Sequence, residues 1–146
     1  MPTPPLPERL AAVAAAFRAA PEPLKLPLLL EYAGRVPPLP EGLARDRDRL
    51  ERVEECQTPF FVASEIDGDG RVRLHFEAPA ESPTTRGFAG VLFAGLDGAT
   101  PDEVLAVPAD VADALGLARA ISPLRLRGMG AVLARLQRQV RRATGP

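Results

Sequence analysis

The sequence predicts an α+β fold: a small antiparallel three-stranded sheet packed against helices. Three observations lead there. Residues 71–77 alternate strictly, with Val72, Leu74 and Phe76 on one face and Arg71, Arg73, His75 and Glu77 on the other, the period of a strand with one buried side. Just before them, Asp67-Gly68-Asp69-Gly70 follows the apolar run Phe60–Ile66. Gly and Asp adopt positive φ at little cost, so the two runs read as a hairpin. On either side of it, apolar residues recur at helical spacing: Leu10, Val13, Ala14 and Phe17 before, then Met129, Val132, Leu133, Leu136 and Val140 after. No internal repeat or second domain is visible, so residues 1–146 read as one domain.

Residues 1–6 are rich in Pro and are expected to be disordered. A helix is expected over Pro7–Ala20, stopped by Pro21 and Pro23. A second should run from about Leu24 to Arg35 with Pro27 in its first turn. Val36-Pro37-Pro38-Leu39-Pro40 then forces an extended passage. Residues 44–55 alternate Arg with acid and read as an exposed turn leading to an edge strand near Leu50–Val53. After the hairpin, Phe88, Val91, Leu92 and Leu96 mark a helix ending at Gly95 or Gly98. Thr100-Pro101-Asp102-Glu103 is a capping-box helix start, with Thr100 as N-cap and Glu103 reaching back. That helix runs to about Val107 and another spans Ala109–Leu115, with Gly116 as its stop. Ser122-Pro123 opens the last helix, with Arg135, Arg138 and Arg142 expected on its outer side. The sheet's second face is expected to be at least partly wet.

Net charge is −1, which gives no global case for nucleic acid or an anionic membrane. Its distribution is uneven. Residues 1–113 hold 11 Lys+Arg against 19 Asp+Glu, or −8, whereas residues 114–146 hold seven Arg and no acid, or +7. A basic C-terminal segment is available for an acidic partner surface, although for any single Arg a solvated helix face is the commoner explanation. No apolar run approaches the roughly 20 residues of a membrane span. Leu10–Phe17 faintly resembles a signal-peptide core, but Glu8, Arg9 and Arg18 abut it, so an amphipathic helix is the better reading.

Cys56 is the single cysteine, which permits no internal disulfide and no multi-cysteine metal site. That suits a reducing, cytoplasmic setting. It stands in Glu54-Glu55-Cys56-Gln57-Thr58, where a charged segment gives way to the first hairpin strand, and so is expected on a loop at a strand edge. Glu51, Glu54 and Glu55 are close in sequence. Each, at roughly 7 Å in water, would raise the thiol pKa by an interaction of about 0.6 kcal/mol. Free Cys titrates near 8.5, so this thiol is expected to be a sluggish nucleophile until a partner's basic, water-excluded site takes it in.

From Leu29 to Arg142 the chain resembles the SufE family of sulfur acceptors in iron–sulfur cluster assembly. The resemblance lies in Tyr32-Ala33-Gly34-Arg35-Val36-Pro37-Pro38-Leu39-Pro40, in Cys56-Gln57 before an apolar strand, and in Arg86-Gly87-Phe88. It continues through Gly98–Leu105, Leu115-Gly116-Leu117 and Ile121-Ser122-Pro123-Leu124-Arg125-Leu126-Arg127-Gly128-Met129. It implies a SufE-like fold, similar to that of IscU-type scaffolds. It also implies that Cys56 takes persulfide sulfur from a pyridoxal-phosphate cysteine desulfurase (SufS-like) and passes it to an iron–sulfur scaffold complex (SufBCD-like). Such a protein is a sulfur carrier and desulfurase activator rather than a free-standing enzyme, with no cofactor of its own. Arg125 matches an arginine used in docking or in ordering the site; Gln57 and Glu81 match loop-positioning neighbours of the cysteine. Two departures stiffen the loop. Glu55 stands where the family commonly has Gly, and Pro59 removes a backbone donor.

Other chemistries fit poorly. A cysteine hydrolase needs a His and an orienting Asn or Asp, but there is no Asn and the only His, His75, is expected to be a solvent-facing strand residue. Metal or cluster scaffolds need three or four Cys/His ligands. Aromatics are 5% with no Trp, so stacking platforms for nucleic acid are scarce. Gly68–Gly70 lacks the helix that a phosphate loop requires. The remaining alternative is a non-catalytic interaction module that uses its basic C-terminal helix for an acidic partner or for weak nucleic-acid binding.

Overall fold

A computed structural model describes residues 6–56 and 58–145. In chain order the elements are α1 (Glu8–Ala19), α2 (Glu22–Ala33), α3 (Glu41–Arg45), a 3-10 turn (Arg47–Arg49), β1 (Glu51–Arg52), β2 (Phe61–Ile66), β3 (Val72–Glu77), α4 (Pro83–Leu96), α5 (Pro101–Leu105), α6 (Val111–Ala114) and α7 (Pro123–Thr144). The sheet is antiparallel in the order β1-β2-β3, with Phe61 opposite Glu77, Ile66 opposite Val72, and Glu51 opposite Val62. This is the α+β architecture expected from the alternation in residues 71–77. No helix is long and apolar enough to cross a membrane among the described residues.

One sheet face presents Val62, Val72, Leu74 and Phe76 to the main core, where α4 and α7 meet them and α1 and α2 pack on α4. Helices α1 and α7 offer the apolar stripes their spacing promised: Leu10, Val13, Ala14 and Phe17 on α1, and Met129, Val132, Leu133, Leu136 and Val140 on α7 are all buried. The other face is drier than expected. Residues 41–49 fold into α3 and a 3-10 turn instead of an open turn, and Leu43, Leu50 and Ala63 close a second small cluster with Leu39 and Phe61. The Arg47 guanidinium lies over the Phe61 ring at 5.3 Å and pairs with Glu77, Nη1 to Oε2 at 2.7 Å, so the same charged group meets both the ring and the carboxylate. His75 is accordingly half-buried on this face, 3.4 Å from Glu65 Oε1, rather than facing open solvent.

Two helices begin earlier than their apolar spacing suggested, because Pro opens a helix as readily as it closes a strand. Helix α4 starts at Pro83 itself. Helix α2 starts at Glu22, which puts Pro27 in its interior and leaves the Pro23 carbonyl without its intrahelical donor; both prolines are exposed, so water can meet it. At the other ends the capping box at Thr100 forms as read, with Glu103 N–H donating to Thr100 Oγ1 at 3.2 Å and Thr100 N–H to Glu103 Oε1 at 2.9 Å. Residues 1–5 fall outside the described part; Leu6 is partly buried against the core.

The tightest packing joins α2 and α4. A Cβ on Gly87 would lie 2.4 Å from the Leu29 carbonyl oxygen, and one on Gly90 would lie 2.0 Å from that of Tyr32. Bare backbone on α4 lets α2 approach that closely. Beside them Arg86 donates from Nε to Ala33 O at 3.0 Å and from Nη1 to Ala78 O at 2.8 Å. It thereby ties the last turn of α2 to the chain leaving β3. Gly90→Ala is therefore expected to destabilise the protein by about 1–3 kcal/mol or more through overpacking. Gly68→Ala, with nothing within 4 Å of its new methyl, should change stability by less than about 0.5 kcal/mol. Urea midpoints of the two variants against the parent check this, and equal midpoints would contradict it.

Candidate functional site

Between β1 and β2 the chain leaves the sheet and returns. Val53 and Phe60 are fully buried, and Val53 N–H donates to Phe60 O at 2.8 Å. These two residues fix the feet of a loop over residues 54–59. At its turn Cys56 N–H donates to Val53 O at 3.1 Å. The loop position matches the expectation from sequence.

The thiol, however, is buried at rest, with Cys56 9% exposed and part of the main core. Its seat is the first half of α7. A Cβ on Gly128 would lie 3.4 Å from Cys56 Sγ and 3.8 Å from Glu55 O, so the thiol rests against this bare stretch of helix at ordinary contact distance. Burial pushes the thiol pKa up, Glu55 pushes it further, and Arg135 offsets part of the rise. The direction agrees with the sequence reading, but desolvation rather than the neighbouring acids is the main cause.

Two of the three neighbouring acids, Glu51 and Glu55, are paired. Arg135, expected on the outer side of α7, instead turns in beneath the loop with its side chain 14% exposed. Its Nη1 is 2.7 Å from Glu55 Oε1, and its Nε is 3.1 Å from Glu51 Oε2, a close ion pair whose N–H is not aligned on the oxygen. Glu51 is also paired with Arg138, and its Oε1 accepts from Gln139 Nε2 at 3.0 Å. Gly128, Val132, Arg135 and Gln139 recur at the i, i+4, i+7 and i+11 spacing of one helix face. That spacing was readable, and it would have turned Arg135 towards the buried side.

Glu81 and Arg125, far apart in sequence, line one open groove of about 290 Å³ together with Thr58, Ser82, Pro83, Thr84 and Thr85. Glu81 precedes α4; Arg125 lies in the first turn of α7, where its N–H donates to the N-cap Ser122 Oγ at 3.3 Å. Thr58 brings the groove within two residues of Cys56. Gln57 lies outside the described residues. His75 is on the sheet face turned away from α7, whereas Cys56 sits against α7, so the two do not form a nucleophile–base pair. Burial lowers the His75 pKa, with Glu65 acting against it. Among the described residues no group of three or more His, Cys, Asp or Glu could hold a metal ion.

The SufE family, an Fe-S metabolism associated domain, matches residues 11–140 of the chain. An uncharacterized SufE-like protein of Mycobacterium tuberculosis is 52% identical over 138 residues, covering 94% of this chain and 95% of that protein. A SufE-like protein 1, chloroplastic/mitochondrial, of Arabidopsis thaliana is 30% identical over 135 residues, or 92% of this chain and 35% of its own length. The solution structure of a hypothetical protein from Thermus thermophilus superposes with a TM-score of 0.86 at 47% identity, covering 96% of this chain and 98% of the other.

A raised thiol pKa has two consequences. Alkylation of Cys56 should rise with pH through a midpoint above the ordinary value of about 8.5. The fold holds the thiol's proton more tightly than the unfolded chain does, so Cys56 contributes stability that is complete below that ordinary value. This contribution is lost as pH rises through the folded value. Rate–pH profiles and urea midpoints across pH 7–10 (roughly the thiol range) read both, with Cys56→Ser removing the alkaline loss. A midpoint below about 7 would contradict the burial argument.

Proposed function

From the premise that this chain belongs to the SufE family, we propose that it is a sulfur acceptor that works through Cys56. The family ties it to iron–sulfur metabolism; the finer steps are our reading. The thiolate of Cys56 attacks the terminal sulfur of a persulfide on a pyridoxal-phosphate cysteine desulfurase. One S–S bond forms as another breaks, the desulfurase thiolate leaves, and Cys56 becomes a persulfide with no net redox change. An iron–sulfur scaffold then draws the sulfur off. The pyridoxal phosphate belongs to the desulfurase.

The observation that carries this reading is the place of the single thiol. Cys56 is on a loop whose feet, Val53 and Phe60, are anchored in the core, so residues 54–59 can swing without unpairing β2 from β3. A buried thiol of raised pKa is a poor target for stray oxidants, which suits a carrier that must react with one protein only. Arg125 and Glu81, in their shared groove beside Thr58, are the groups we assign to docking and to positioning the loop, with Gln57 as a further loop neighbour. We take the 146 residues to act as one domain in a reducing, cytoplasmic compartment.

Incubation with a cysteine desulfurase and cysteine, followed by mass spectrometry without reductant, should add about 32 Da to Cys56. Cys56→Ser should abolish the gain, and Arg125→Ala should reduce loading at limiting desulfurase without changing the fold. Failure of the parent protein to gain sulfur from any desulfurase of its own cell would overturn the proposal.

A further inference from the structure

Arg135 is met by two carboxylates, and they differ in where they stand. Glu51 is on β1, held in turn by Arg138 and Gln139. Glu55 is on the loop itself, next to Cys56, with its side chain 49% exposed against 14% for Arg135. Among the described residues, Glu55–Arg135 is the only polar side-chain tie from the loop to α7; the Gly128 seat offers no side chain at all.

We propose that Arg135 is the positioning residue that holds the Cys56 loop shut through Glu55, and that the loop opens when a basic side chain of the partner takes Glu55 over. The identity of that partner rests on the sulfur-acceptor reading; the latch is a property of the free protein. The double pairing is what makes the exchange affordable. A largely buried guanidinium stripped of its only counter-ion would oppose opening strongly. Here Glu51 stays behind, so Arg135 keeps one carboxylate, shared with Arg138, while Glu55 departs. The exposed half of the pair is the carboxylate, so the competing group must be a cation, a Lys or Arg that the partner presents beside its own reactive cysteine. A cation in that place also favours the Cys56 thiolate as it emerges. Opening and activation then come from one contact.

The test separates access from thiolate fraction by taking the full rate–pH profile of iodoacetamide alkylation. The high-pH plateau reports access and the midpoint reports the pKa. In the free protein, Arg135→Gln and Glu55→Gln should each raise the plateau about two- to tenfold, the span of a partly exposed ion pair. The double variant should be no faster than either alone, and Arg135→Lys, which keeps the charge, should recover most of the parent's protection. Glu55→Lys should raise the plateau in the free protein yet lower sulfur loading by the desulfurase. Plateaus equal to the parent's, or single effects that multiply in the double variant, would overturn the latch. Normal loading of Glu55→Lys would overturn the basic key. If the latch variants behave as expected and no sulfur reaches Cys56, the acceptor reading fails and the latch stands.

Discussion

One face of α7 has to do two incompatible things, and the site follows from how it does them. Val132, Leu136 and Val140 must be apolar to cover β2, yet the same face meets the acidic loop that carries Cys56. The helix answers by position: Gly128 where the thiol comes closest, Arg135 where the two carboxylates converge, and Gln139 where Glu51 and the Val62 carbonyl need a donor. Replace this stripe by a uniformly apolar one and Glu55 would face the helix without a partner, while Glu51 would keep only Arg138.

The feet of the loop matter as much as its seat. Val53 and Phe60 are buried on either side of it and joined by a backbone hydrogen bond. The proposed opening would break the Cys56 turn and the Glu55 pair while leaving the Val53–Phe60 hydrogen bond in place. In α4, bare backbone at Gly87 and Gly90 and the Arg86 hydrogen bonds lock α2 to α4. The proposed opening therefore asks for movement of this one segment against a packed frame.

Much of the frame was legible in the sequence because its signals are local. The β2–β3 hairpin announces itself through strict alternation and an Asp-Gly turn, α5 through its capping box, α1 and α7 through apolar spacing. Three features were harder to read. The Pro at the start of α2 and of α4 reads equally as a stop, and only tertiary contact with the core tells a beginning from an end. Residues 41–49 look like surface by composition, but Leu43 and Leu50 find a second small cluster with Ala63. Of the site, the place of Cys56 on a loop followed from the sequence, whereas the groove that brings Glu81 and Arg125 together is visible only in the fold. Arg135 was missed because an arginine on a basic helix is ordinarily a solvated one. Its inward turn depends on Glu51 and Glu55, 84 and 80 positions away by their numbers.

At the centre of this account is a thiol that is closed off in the free protein and opened locally by its partner, with the sheet beneath it left intact. Amide hydrogen exchange at Cys56, whose N–H is bonded to Val53 O, reads that event directly. On mixing with the desulfurase, protection should fall at residues 54–56 while the paired amides of β2 and β3 keep theirs. Unchanged or increased protection at Cys56 while it gains sulfur, or loss of protection spreading through β2 and β3, would contradict it.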